Sequence, residues 1–471
     1  MYANVKYCSR YMKNITYYPL QTLGSILDNY QSRSLATFFI PESTQQLVPL
    51  FSPLLLTQVC HYWRVVALET HELWSTIMIR NHAMKRRDIL SLLDLWLERS
   101  GTRPLDVFLD IYFIDDLVST LIMQEFAKRQ EEYRTLLKHL SPHLGRIRKV
   151  QGCIPVSIVP DLRLELMDSL ETLEIVGTLD IISSVQPLHL EVLKLLPKLR
   201  TVSLENLGLD QSLLSHQTQI TRLELSKMRN PTWMSCRSAY NILKSLPELQ
   251  TVYLDLNRSD EPEGPDGNSG NLMLPNLQAL YISWENWQAL IDPEPLLRSI
   301  CAPNLRKLAL SGELDRISHR WEALRNFIVS SNYPPLTHLA ICETGPVDLC
   351  LDDILKCTPE LTHLIIAYGP ALVSFLRKLE WNSSKPEEQL CPKLSALHIC
   401  DELVSIEVIW PILQSRRNTI KKVIKCQCLH FSDEDWLRIK NLGITVSPPI
   451  SGDSYPFPDE CLPREVFFDG L

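Results

Sequence analysis

From about Leu144 onward one phrase recurs: Pro, any residue, Leu, two residues, an aliphatic, one residue, an aliphatic. It reads "LPKLRTVSL" ending at Leu204, "LPELQTVYL" at Leu254, "LPNLQALYI" at Ile282 and "APNLRKLAL" at Leu310. It returns as "YPPLTHLAI" to Ile341, "TPELTHLII" to Ile366 and "CPKLSALHI" to Ile399. Weaker copies end at Ile175 and Leu225. The first aliphatic falls at 144, 170, 199, 220, 249, 277, 305, 336, 361, 394 and 420, ten steps of about 28 residues each. A period of this length is the signature of a stacked repeat architecture.

The aliphatics at the fourth and sixth places alternate, as a half-buried strand requires. Helical patterns lie between, as in "SAYNILKSL" (Ile242, Leu243, Leu246) and "RWEALRNFIV" (Trp321, Leu324, Ile328). Proline before each strand stops the preceding helix, because the residue ahead of proline disfavours the α region. A doubly wound sheet also alternates helix and strand. Its strands need not share a phrase, however, and no Gly-rich phosphate loop follows any strand here. The step fits the leucine-rich repeat, and the chain resembles that class. The expected fold is therefore α/β: an irregular leucine-rich-repeat solenoid with a parallel sheet over 144–446. The Asn or Cys usual three residues after the sixth place is mostly absent, with Met228, Glu285 and Glu313 standing there. Long excursions such as Asn257–Gly270 and "EWNSSKPEEQ" from Glu380 interrupt the array.

A 45% hydrophobic and 22% charged composition is ordinary for a folded chain. The net charge of -8 lacks the basic footprint of a general nucleic-acid binder, so no nucleic acid is expected as a partner. No segment is apolar for long enough to span a bilayer, and the N-terminus lacks the unbroken apolar run of a signal peptide. The thirteen cysteines are scattered and read as reduced thiols of a cytoplasmic or nuclear protein.

Ahead of the array stands "LLLTQVCHYWRVVALETHELWSTIMIR", Leu54 to Arg80. Leu55, Val59, Trp63 and Val66-Ala67 share one helical face, which predicts a helix over Leu54–Leu68 with Trp63 buried. "ELWSTIMI" has strand character. The stretch resembles the second half of an F-box, in the form common in fungal F-box and leucine-rich-repeat proteins. Val59, Cys60, Trp63, Arg64, Ala67, Leu68, Thr70, Leu73, Trp74, Ser75 and Ile77 carry the resemblance, and "LSLLDLWLERSGTRPLDVFL" to Leu109 continues it. His71 stands where proline is usual, and the opening Leu-Pro-x-Glu helix of the family is missing. The resemblance implies an F-box-like module over 46–80, preceded by an N-terminal segment 1–45. A connecting helix–strand–helix region over 81–143 follows, and a C-terminal tail over 447–471 closes the chain.

That family docks a Skp-type adaptor and, through it, a cullin. The implied function is substrate recognition in a cullin-type ubiquitin ligase, with adaptor contacts at Leu50, Phe51, Leu54 and Leu55. The alternative is a non-catalytic repeat scaffold with a degenerate box. Strand places three, five and seven are expected to face away from the core, toward a target protein. The candidates there are Glu224, Tyr253, Tyr281, His338 and His363, with Trp284 adjacent. Enzymatic signatures are lacking: there is no G-x-S-x-G, H-E-x-x-H, Walker loop or paired C-x-x-C, so no catalytic or cofactor-binding residue is expected. "CQCLH", Cys426–His430, with Cys400 and His398 nearby, does not complete a tetrahedral ligand set, and no metal is expected.

Overall fold

Alternation of apolar and polar residues at the phrase positions becomes parallel strand throughout the array. The computed structural model describes residues 53–80, 89–110, 120–178, 196–207, 219–226, 234–256, 271–284, 292–312, 320–343, 351–367, 372–381, 389–400, 404–424 and 431–447. The chain divides into two compact units, Met1–Thr70 and His71–Leu471. Leu50 and Phe51, and the thiols and histidine of Cys426–His430, lie outside the described residues.

In the first unit, helix α1 is Pro53–Leu56 and helix α2 is His61–Glu69. The continuous helix expected over Leu54–Leu68 is thus broken. The Thr57 amide closes on the Pro53 carbonyl at 3.1 Å, and its hydroxyl donates to the Leu54 carbonyl at 2.7 Å. The chain then extends at Cys60 (φ -160°) before α2 begins. Local side-chain-to-backbone bonds of this kind compete with helix propagation.

The second unit carries one mixed α/β arrangement around a parallel sheet. Its strands are β1 Thr76–Arg80, β2 Leu105–Asp110, β3 Ile147–Pro155, β4 Thr172–Thr178, β5 Thr201–Glu205, β6 Arg222–Ser226 and β7 Thr251–Asp255. They continue as β9 Ala279–Trp284, β11 Lys307–Gly312, β12 His338–Glu343, β13 His363–Ala367, β14 Ala396–Cys400, β15 Lys422–Ile424 and β16 Thr445–Ser447. These fourteen pair in chain order. The two short strands β8 Leu272–Met273 and β10 Ile300–Cys301 pair separately. The sheet therefore starts well before Leu144. "TIMIR" and "LDVFLD" alternate like the later strands but lack the Pro-x-Leu phrase, and β1 joins β2, and β2 joins β3, in parallel.

The register explains the period. Leu223 pairs with Val252, Leu280 with Leu308, Leu339 with Leu364 and Leu364 with Leu397. The fourth and sixth places of every repeat from Val202 to Ile399 are buried in one continuous apolar cluster. The first places, Leu199 to Ile420, join it. Helices supply the rest, including Ile242 and Leu243 of Cys236–Ser245 and Phe327 and Ile328 of Arg320–Ser330.

The second place of the phrase forms a polar ladder. The hydroxyls of Thr221, Thr337, Thr362 and Ser395 donate to the carbonyls of Arg200, Arg306, Thr337 and Thr362, each one strand back. The residue after the phrase proline ties neighbouring repeats together. Asn304 donates to the Pro275 carbonyl at 2.7 Å, and Lys393 reaches Glu360 at 2.6 Å. Gly152 sits at φ +148° with the Leu109 carbonyl oxygen where a β-carbon would be, at 1.8 Å. Only glycine allows β2 and β3 to approach there.

Near the end of the array the buried guanidinium of Arg416 holds three chain segments together. Nε donates to the Leu379 carbonyl, Nη2 to that of Leu390 and Nη1 to that of Cys391 at 2.8 Å. Its plane lies 5.4 Å from the Trp381 ring centre. Burial lowers the Arg416 pKa and pushes the Cys391 thiol up to about 12.

Candidate interaction surface

Residues at places three, five and seven lie on the sheet face opposite the apolar cluster, as side-chain alternation dictates. Along place five, Glu174, Ser203, Glu224, Tyr253, Tyr281, Ala309, Ala340, Ile365 and His398 stand in register on successive strands. Tyr253 and Tyr281 stack with ring centres 4.2 Å apart and planes 7° from parallel. They were expected to be open anchors, but they are 2% and 3% exposed. Glu224 is buried as well. The row passes from half-buried on β4 and β5 to closed from β6 through β14.

Trp284 does not belong to this face. It is the eighth residue of its phrase, so its parity is that of the core, and it packs within the apolar cluster against Gly312 of β11. Its expected role as a target anchor is corrected accordingly.

Place three carries Lys307, His338, His363, Ala396 and Lys422 across β11 to β15. The two imidazoles stack at 4.1 Å, 7° from parallel. Each is half-buried, and each Nδ1 is 2.9 Å from the hydroxyl of the preceding threonine, Thr337 or Thr362. Both hydroxyls spend their single proton on a backbone carbonyl. Burial first, then His363 and Lys307, bring the His338 pKa down to about 4. Burial, then Lys422 and Lys307, lower that of His363.

Carboxylates of this face gather at one end, where Arg222 also stands at place three of β6. Glu174, Glu205, Glu224 and Asp255 occupy β4 to β7, with Lys149 paired to Glu174 at 3.3 Å. Places three, five and seven of β11 to β15 hold no carboxylate. Cys153 on β3 has its thiol pushed up to about 11 by burial and by Asp110 and Glu205, which removes it as a nucleophile near neutral pH. Among the described residues no group of three or more His, Cys, Asp or Glu side chains is placed to hold a metal ion. No helix among them is long and apolar enough to cross a membrane.

The F-box-like residues fall on both units. In the first, Val59, Cys60 and Arg64 are exposed, Leu54 and Trp63 are half-buried, and Ala67 is buried. Leu55 lies in α1, and the placement of its side chain is outside the description. The burial expected of Trp63 is thus only partial. Arg64 donates from Nε to the Thr57 carbonyl at 2.8 Å, bracing the break between α1 and α2. Tyr62 is 66% exposed, with Val59 and Val65 also exposed beside it. Tyr62 is not among the residues that carry the F-box resemblance, although its three-residue spacing from Val59 and Val65 marks one helical side. In the second unit Leu73 is half-buried, and Trp74 is fully buried with its ring edge-on to Trp96, 5.0 Å between centres. No protein-family model and no curated protein matches this sequence.

Proposed function

We propose that the chain is the substrate-recognition subunit of a cullin-type ubiquitin ligase. The F-box-like module over 46–80 docks a Skp-type adaptor through Leu50, Phe51, Leu54 and Leu55 together with exposed Tyr62. The sheet, as an irregular leucine-rich-repeat solenoid, holds the target protein. The receptor does no chemistry and needs no cofactor; it raises the concentration of target beside the conjugating machinery. The observation that carries this reading is the phrase from Val59 to Ile77 in front of the repeat array, with Val59 just before α2 and Tyr62 and Val65 on it all exposed. Large apolar and aromatic side chains of that kind supply most of the binding energy in protein interfaces. A purified Skp-type adaptor mixed with the full chain should co-elute with it on a sizing column.

The second reading, a repeat scaffold that no longer joins a ligase, is favoured by one observation. No Leu-Pro-x-Glu precedes Leu50, where "LQTLGSILDNYQ" stands instead. Separate elution of a folded chain and the adaptor would select it.

A further inference from the structure

One stretch of the outward sheet face is open. Every outward residue from Lys149 to Cys153 on β3, from Thr172 to Val176 on β4 and from Thr201 to Glu205 on β5 is half-buried. Strands β6 to β14 of the same sheet close their central outward position, as β2 does with Phe108. Within the window Gln151, Glu174 and Ser203 stand in register on adjacent strands. We propose that this window binds an extended segment of a partner protein and seats an arginine of that segment on Glu174 and Ser203, with Gln151 beside them. The proposal rests on the reading of the array as the surface that holds the target, and not on adaptor docking.

The acceptors in the window have capacity to spare. The Lys149 ammonium meets Glu174 at Oε2, 3.3 Å away. A carboxylate offers about four lone-pair sites, so most of this one remains for a second donor. Gln151 has a side-chain oxygen with no hydrogen-bond partner. The terminal torsion of a glutamine is soft, so that oxygen can swing toward a donor arriving at Glu174. Neighbouring strands lie about 4.8 Å apart, which sets Glu174 and Ser203 within the span of one planar guanidinium. An ammonium in the same place would only duplicate Lys149.

Charge complements such a segment. Across β2 to β6, five carboxylates face outward against two cations, Lys149 and Arg222. Arg148 joins them from the strand edge and is taken up by Asp106 at 2.8 Å. The thiol of Cys153 is pushed up to about 11 by burial and then by Asp110 and Glu205, which marks the potential over the window as negative. Those two carboxylates have interactions of their own and enter here only as field. The length fits too: two strand steps span about 10 Å, the reach of about three extended residues.

The test uses the full chain and fluorescein-labelled triarginine, with trilysine and triglutamate as controls. Triarginine should bind, trilysine about tenfold more weakly because it lacks the fork, and triglutamate not at all. Raising the salt should weaken the binding. Glu174→Gln should lower triarginine affinity about tenfold. Gln151→Leu should narrow the preference for arginine over lysine, and Lys422→Gln on distant β15 should change nothing. If Glu174→Gln does not fold, Ser203→Lys, which sets a cation beside the carboxylate, decides by the same loss. Equal affinity for triarginine and trilysine, binding unchanged by the substitutions at Glu174 and Ser203, or no triarginine binding by a folded chain would overturn the proposal. Loss of triarginine binding with adaptor capture intact would count against this inference alone.

Discussion

The indole of Trp284 lies so close to Gly312 on the adjacent strand that a β-carbon at residue 312 would fall 2.2 Å from Nε1. The pair is in register, Gly312 opposite Trp284, and the indole is part of the core. Gly312→Ala should force the ring or the strand to move and cost about 1–3 kcal/mol, the usual range for overpacking. Urea denaturation of the variant measures it. An unchanged midpoint would mean that the indole has room to turn.

Arg416 should be irreplaceable by lysine. Its planar fork reaches the carbonyls of Leu379, Leu390 and Cys391 at once, and a single ammonium cannot. Arg416→Lys leaves at least one buried carbonyl unmet, at about 1–3 kcal/mol for each. The thermal midpoint should fall accordingly, with the last repeats losing amide-exchange protection first.

Trp74 and Trp63 should behave differently. Trp74 is wholly buried against Trp96, so Trp74→Ala should cost about 3–5 kcal/mol. Trp63 is only half-buried, and its truncation should cost clearly less. Equal losses in chemical denaturation would contradict the difference in burial.

Stability should fall in mild acid. The folded-state pKa of His338 is lowered to about 4 and that of His363 is lowered too, against about 6.5 in an unfolded chain. Between those values the unfolded chain binds more protons, so stability rises with pH. The contribution is complete above about pH 6.5 and is lost as pH drops toward 4. The urea midpoint, followed from pH 7.5 to 4.5, should decline less steeply in the His338→Gln, His363→Gln variant. An identical slope would assign the acid sensitivity elsewhere.

The strands were legible because their evidence is local and repeated. Leu308 and Leu339 announce their face by parity alone, and the structure puts them in one sheet with one core. Trp284 was legible too: eight is an even place, and parity sends it inward. The burial of Tyr253 and Tyr281 was not legible, since alternation fixes which face a residue joins and not what lies over that face. Strands β1 and β2 were legible as strands, but not as members of the same sheet, because they alternate without the phrase. The break at Thr57–Cys60 is set by one hydroxyl bond that a helical-periodicity count does not register. Arg416 looked like any surface arginine, since its partners lie 25 to 37 residues away in sequence.

Calorimetric titration of a purified Skp-type adaptor into the full chain tests the central claim most directly. The account predicts a one-to-one complex, weaker than that of a complete box because Leu-Pro-x-Glu is absent. Tyr62→Asp or Leu54→Asp should abolish it, because a charge in a desolvated contact costs several kcal/mol. Tyr253→Ala with Tyr281→Ala should leave it intact. No heat and no complex with a chain shown to be folded would contradict the claim and leave the scaffold reading.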